Sequence, residues 1–161
     1  MDFKNLSIRR RLVYTVEGFA DRLFTPKYNP FYYLGTICAL LLVLIAISGL
    51  YLFLFYKTSD PFGSLQSLTV NQWYLGGIMR SIHRYASDGL ILFLILHLLR
   101  EFLLGRYRQW RWLSWVSGNL LLIISITMGI VGYFLVWDEK AQLIAIKTAQ
   151  LLDDIPLFIE P

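Results

Sequence analysis

Two stretches of this chain run without a charged side chain for longer than the helices of a water-soluble domain usually do. They are the 28 residues from Asn29 to Tyr56 and the 26 from Trp112 to Trp137. About 20 apolar residues suffice for a helix to cross the hydrocarbon core of a bilayer. Both runs are therefore expected to span a membrane, and the composition agrees, since 57% hydrophobic and 16% charged residues is too apolar for a soluble domain of 161 residues. A third stretch, 73–104, is long enough to span but carries Arg80, Arg84, Asp88, Arg100 and Glu101, with its uncharged run confined to Gly89–Leu99. The expected fold is all-α, a single membrane domain over 1–161. It is a transmembrane bundle of three spanning helices (29–56, 73–104, 112–137), with an N-terminal interfacial amphipathic helix (1–28) and a C-terminal surface segment (138–161).

The cations are distributed as topology signals. Segment 1–30 holds Lys4, Arg9, Arg10, Arg11, Arg22 and Lys27, and the loop after the second span holds Arg100, Arg106, Arg108 and Arg111. The first loop offers Lys57, and the tail from Asp138 has five acids against Lys140 and Lys147. The positive-inside rule then puts the N-terminus and the second loop on the cytoplasmic or equivalent (N) side, and the first loop and tail on the opposite (P) side. This fits a bacterial inner membrane or a similar energy-transducing membrane. Because the cations are split among membrane-flanking segments, no nucleic-acid surface is expected. The opening MDFKNLSIRRRLVY places three arginines where a secretory signal would need its apolar core, so insertion is expected to rely on the first span. Residues 3–24 keep Phe3, Leu6, Leu12, Val13, Val16, Phe19, Ala20, Leu23 and Phe24 near a helical period, with Arg9, Arg11, Glu17 and Arg22 opposite, as a helix lying on the N-side surface would. TPKYNP ends it, and 57–72 reads as a loop with turn chemistry at Asp60-Pro61-Phe62-Gly63. Residues 138–156 alternate at a helical period, as a P-side surface helix or helix pair would. The lone Cys38 excludes an internal disulfide and reads as a small buried apolar residue.

The middle stretch holds both histidines of the chain, His83 and His97, in RSIHRYASDGLILFLILHLLR. Fourteen residues are about 21 Å along a helix. They are also four turns at 3.5 residues per turn, so in a left-handed bundle both imidazoles face one neighbour at two depths. The first and third spans repeat the number: Gly35 and Gly49, then Gly118 and Gly132. Glycine lets a flat macrocycle approach a helix backbone where a Cβ would clash. Neutral imidazole is a standard axial ligand of haem. Zinc is disfavoured, because no second Cys, His or paired carboxylate lies near either histidine. Arg80 and Arg84 flank His83 and Arg100 follows His97, in reach of propionate carboxylates, which guanidinium binds in a fork.

FYYLGT at the first span, IMRSIHR with a second histidine fourteen residues later, LSWVSG, GIVGYFLVWD and the Ile155-Pro156 tail cover roughly residues 25–157. Together they resemble the N-terminal part of the cytochrome b family, most closely its short form, cytochrome b6. The resemblance implies two haem b groups, with His83 an axial ligand of the P-side haem, His97 of the N-side haem, and the four glycines packed against the rings. It implies electron transfer across the membrane between a quinol-oxidation and a quinone-reduction site, within a complex whose partners include a cytochrome c or iron–sulfur subunit. Tyr133 and the surface helix after Trp137 would border the P-side quinone pocket, and Asp21, with Glu17 and Lys27, the N-side one; a solvated interfacial face is the simpler reading of the last three.

Several positions depart from the family pattern. The family has a fourth helix with two more histidines, and this sequence has no third histidine. The second axial ligands are expected from a partner subunit bearing a two-histidine helix, or from a symmetry mate that pairs His83 with His83 and His97 with His97. Met79 and Met128 read as span filler. Tyr33 stands where b6 members have the cysteine for an extra c-type haem, so that group is not expected. Val136 replaces a proline before Trp137. Asp88 replaces a small or apolar residue, with Arg84 as its expected partner at i−4. The chain is not expected to oxidise quinol by itself. Two other readings are a haem-bearing anchor that wires a peripheral dehydrogenase or multihaem cytochrome, and a scaffold that lost its cofactors.

Overall fold

The computed structural model describes residues 7–154, all of whose regular structure is helical. The expected continuation of the first helix over 1–6 and of the tail over 155–161 lies outside the described residues. Six α-helices follow one another: α1 Ile8–Tyr28, α2 Leu34–Phe55, α3 Pro61–Val70, α4 Gly76–Leu103, α5 Trp112–Phe134 and α6 Glu139–Asp153. Short 3-10 turns, Pro30–Tyr33 and Gln109–Arg111, lead into α2 and α5.

Two segments are long and apolar enough to cross a membrane, Pro30–Phe55 and Gln109–Phe134. Helix α2 is apolar on nearly every face, whereas α5 is uncharged but carries Ser114, Ser117, Asn119, Ser125 and Thr127. The first leaves Leu40, Val43, Ile47, Leu50 and Leu54 exposed, and α5 buries no residue at all. The 28 residues of α4 would reach about 42 Å at 1.5 Å each. Its charges, which run from Arg80 to Asp88 in the first half and return at Arg100 and Glu101, separate it from the other two; its length does not.

The main packing is α2 along α4, with α5 on α4 as well. Cys38, Leu90 and Leu94 are buried between them, with Leu41, Ile45, Phe93 and Leu122 packed around. Burying a leucine side chain contributes roughly 1.5–3 kcal/mol, and this cluster fixes the register of α2 against α4.

Residues 61–70 form a helix and not the expected loop. The Asp-Pro-Phe-Gly signal is a helix start: Asp60 accepts a hydrogen bond from the Gly63 amide at 3.0 Å, and Pro61 sits where its missing N–H costs nothing. TPKYNP does break the first helix direction, through Thr25 at φ 60° followed by Pro26. On α1 the face turned to the protein is Val13, Glu17 and Ala20, while Leu12, Val16, Phe19 and Leu23 are exposed. Glu17 thus faces inward, away from the solvated side expected for it. Among the described residues a single helix, α6, follows α5, its start capped by Asp138 accepting from the Ala141 amide at 2.7 Å.

Candidate functional site

Pairing α2 with α4 sets each α2 glycine against one histidine. A Cβ built on Gly49 would lie 2.9 Å from His83 Cε1, closer than packed atoms approach, and one on Gly35 would lie 3.4 Å from His97 Cε1 and Nε2. The two glycines therefore leave the space each imidazole uses. The α5 glycines behave differently. Gly118 meets Leu98, the neighbour of His97, at 3.0 Å, and Gly132 faces nothing within 4 Å. The apolar Cys38–Leu90–Leu94 cluster lies between the two levels.

At the His83 level the ring is held. Its Nδ1 is 3.2 Å from Ser48 Oγ and 3.2 Å from the Ile45 carbonyl. Ser48 is 1% exposed, and its single hydroxyl proton goes to the Leu44 carbonyl at 2.6 Å. A carbonyl only accepts, so the proton on this edge belongs to Nδ1, and in the neutral ring Nε2 carries the lone pair. That is the tautomer a metal-binding imidazole needs, fixed in the usual way by an Nδ1–H bond to a backbone carbonyl.

At the His97 level Nδ1 is buried and has no hydrogen-bond partner among the described residues, and the same holds for Trp115 Nε1. Trp115 packs on Phe102 and Tyr107, with ring centroids 6.3 and 5.7 Å away. An unsatisfied buried polar group costs about 1–3 kcal/mol, so each of these two nitrogens would be stabilised by a partner beyond the described residues. Nothing in the spacing of the sequence singled out Trp115. Its signal is the orphaned indole N–H, which exists only once α4 and α5 are packed.

Two of the three arginines, Arg100 and Arg80, have protein partners of their own. Arg100 Nε donates to Glu17 Oε1 at 2.8 Å in a buried pair, and its Nη1 lies 3.4 Å from Glu101. This pair is why Glu17 faces inward. Arg80 Nη1 donates to Thr69 Oγ1 at 2.6 Å, tying α4 to α3. Arg84 and Asp88 are both exposed and form no ion pair with each other among the described residues. At the His97 end, Asn29 is fully buried and donates to Asp21 Oδ1 at 2.7 Å and to the Glu17 carbonyl, while Tyr32 Oη donates to Asp21 Oδ2 at 3.0 Å. Tyr133 is exposed near the other end of α5.

A haem fits this arrangement on two observations: α2 glycines that let each imidazole lie against the helix where a Cβ would crowd it, and a His83 imidazole whose Nδ1–H is engaged while Nε2 has no hydrogen-bond partner among the described residues. Clusters of three or more His, Cys, Asp or Glu suited to a bare metal ion are absent among the described residues.

Comparison with known proteins agrees in kind. The family model described as cytochrome b/b6/petB matches residues 19–160. A protein called cytochrome b6 from Rippkaea orientalis is 34% identical over 125 residues, 76% of this chain and 56% of that protein. One from Heterocapsa triquetra is 34% identical over 149 residues, 87% of this chain and 68% of the relative. One from Mastigocladus laminosus is 34% identical over 116 residues, covering 71% and 54%. The chain thus spans little more than half the length of most of the curated relatives it matches.

Proposed function

The chain belongs to the cytochrome b/b6 family, and on that premise we propose that it is a di-haem b-type electron-transfer subunit of a multi-subunit membrane quinol–quinone oxidoreductase. The observation that carries this reading is the facing of Gly49 with His83 and of Gly35 with His97, two levels on one helix pair. In this reading α4 is the third spanning helix, with Arg80 and Arg100 toward the two bilayer surfaces and Arg84 and Asp88 deeper along it. The N-terminus and the α4–α5 loop lie on the cytoplasmic side, where their arginines favour them.

When bound, haem b supplies one-electron transfer at each level. His83 contributes its Nε2 lone pair, oriented by Ser48 and the Ile45 carbonyl, and His97 contributes one from its own ring. Gly35 and Gly49 keep the backbone of α2 close, and Gly118 and Gly132 are assigned the same task on α5. Arg80 and Arg100, with the N–H groups that Thr69, Glu17 and Glu101 leave over, and the exposed Arg84 would hold propionates, and Trp115 Nε1–H would add a donor at the His97 end. Were both levels to hold haem through two histidines, the second histidine of each would come from a partner subunit or a symmetry mate, since this sequence holds only two. Asp21, fixed by Asn29 and Tyr32, borders a quinone at the His97 end, and Tyr133 borders one at the other.

The test is a pyridine haemochrome count on the gently solubilised complex, with the wild-type chain and with His83→Ala and His97→Ala. Two b haems per chain, falling to one in either variant, is the expected result. Full haem content in both variants would refute the ligand assignment.

A further inference from the structure

At the His97 end of the bundle, apart from the haem face, a hollow of about 530 Å³ opens between the start of α1 and the turn after α4. Arg9, Arg10 and Arg108 line it, with Phe102, Tyr107 and Gly105 among its walls, and no Asp or Glu among its lining residues. The nearest acid in sequence, Glu101, is already engaged by Arg100 and Arg106. Three guanidiniums from segments about a hundred residues apart thus meet at one hollow, with no counter-charge in its wall among the described residues. Like charges gathered at the edge of an apolar bundle repel one another, and an anion between them removes that cost.

The walls define which anion. Phe102 and Tyr107 stack at 5.4 Å and 19°. Arg9 lies 6.0 Å from the Phe102 centroid, and Arg108 lies 5.7 Å from that of Tyr107. Cation–π contact settles each guanidinium against a ring and leaves N–H edges for forked bonds to phosphate oxygens. Gly105 closes the turn at φ +72°, a conformation other residues rarely adopt, and a Cβ there would lie 3.8 Å from Arg10 Nη2. Half of the hollow is apolar: Phe102 and Leu103 continue into Leu99, which is exposed on α4. The hollow sits where α4 ends and α5 begins, with Trp110 and Trp112 exposed beside it, aromatics of the kind that mark headgroup depth.

We infer that this hollow binds the phosphodiester headgroup of an anionic phospholipid, with Arg9, Arg10 and Arg108 on the phosphate and an acyl chain along Phe102, Leu103 and Leu99. Free phosphate shares the charge but has no use for the apolar half. Basic pockets beside spanning helices select anionic lipid in this way.

The purified complex carrying the full chain is reconstituted in phosphatidylcholine nanodiscs, and retention of added phosphatidylglycerol is counted by native mass spectrometry. Wild type is expected to retain phosphatidylglycerol over phosphatidylcholine. Arg9→Gln/Arg10→Gln/Arg108→Gln is expected to bind it on the order of a hundred-fold more weakly, roughly five-fold per arginine. Arg22→Gln, an exposed arginine of α1 away from the hollow, is expected to match wild type. Should the triple variant fail to assemble, Arg108→Gln alone is expected to weaken binding about five-fold. Equal retention of the two lipids, an Arg22→Gln effect as large as the triple one, or unchanged binding in Arg108→Gln would overturn the inference. So would displacement of the lipid by an equal concentration of inorganic phosphate, which would make the hollow a free-phosphate site.

Discussion

The two levels of α4 are built by different means. Around His83 the ring is held by its immediate neighbour: Ser48 and the Ile45 carbonyl take the Nδ1 proton, and Gly49 leaves no spare room. Around His97 the ring itself is unheld, Gly35 stands at ordinary contact distance, and order comes from farther out, through the buried Arg100–Glu17 pair that pins α1 to α4. One level is organised by one helix pair. The other waits for groups that the 148 described residues do not supply. The same fourteen-residue repeat therefore carries two degrees of preorganisation.

The largest test of this contrast is removal of each ring. His83→Ala and His97→Ala should each abolish one component of the two-step haem redox titration and leave the other within its normal range. Loss of both components from either change would mean that the levels do not stand alone. Next is the outer anchor at the His97 level. Arg100→Gln leaves the Glu17 carboxylate buried and unpaired, which should cost about 3–5 kcal/mol, read as a lowered Tm and as release of α1 to proteases. Adding Glu17→Gln should recover most of that loss; no recovery would show that the pair is not what holds α1.

The sharper comparison is between the glycines. Gly49→Ala places a methyl 2.9 Å from Cε1 and 3.3 Å from the tied Nδ1 of a ring that cannot easily move away, so it should destabilise by about 1–3 kcal/mol, the usual cost of overpacking. Gly35→Ala meets an untied ring at 3.4 Å, and the better helix propensity of alanine, up to about 1 kcal/mol, should make it near neutral. Thermal melts of the two variants side by side decide it, and equal losses would remove the distinction between held and unheld rings. The smallest effect belongs to Ser48→Ala. The Ile45 carbonyl remains, so a loss of about 1 kcal/mol is expected, with a small shift confined to the His83-level potential.

The helices α2 and α5 were legible because an uncharged run of that length has few alternatives, and the fourteen-residue intervals were legible as numbers. Which glycines face which ring was not, because facing is set by how α2 and α5 each lie on α4. Gly35 and Gly49 meet histidines, whereas Gly118 meets Leu98 and Gly132 meets open space. Helix α3 was hidden by an ambiguity of Asp-Pro, which opens turns and helices alike. The inward turn of Glu17 was hidden because its partner is 83 residues away, and periodicity sees only near neighbours. For the same reason Arg84 and Asp88, four apart and opposite in sign, looked like a pair that the fold does not form.

The packing of Cys38, Leu90 and Leu94 between the two levels has a consequence for what can pass from one to the other. No charged side chain enters that cluster, and Leu41, Ile45, Phe93 and Leu122 close around it. A relay of hydrogen bonds needs polar groups every few ångströms, and the side chains of this cluster are apolar apart from one thiol. Between the two levels the α2–α4 seam thus lays out no side-chain path for protons, which suits a helix pair proposed to pass electrons.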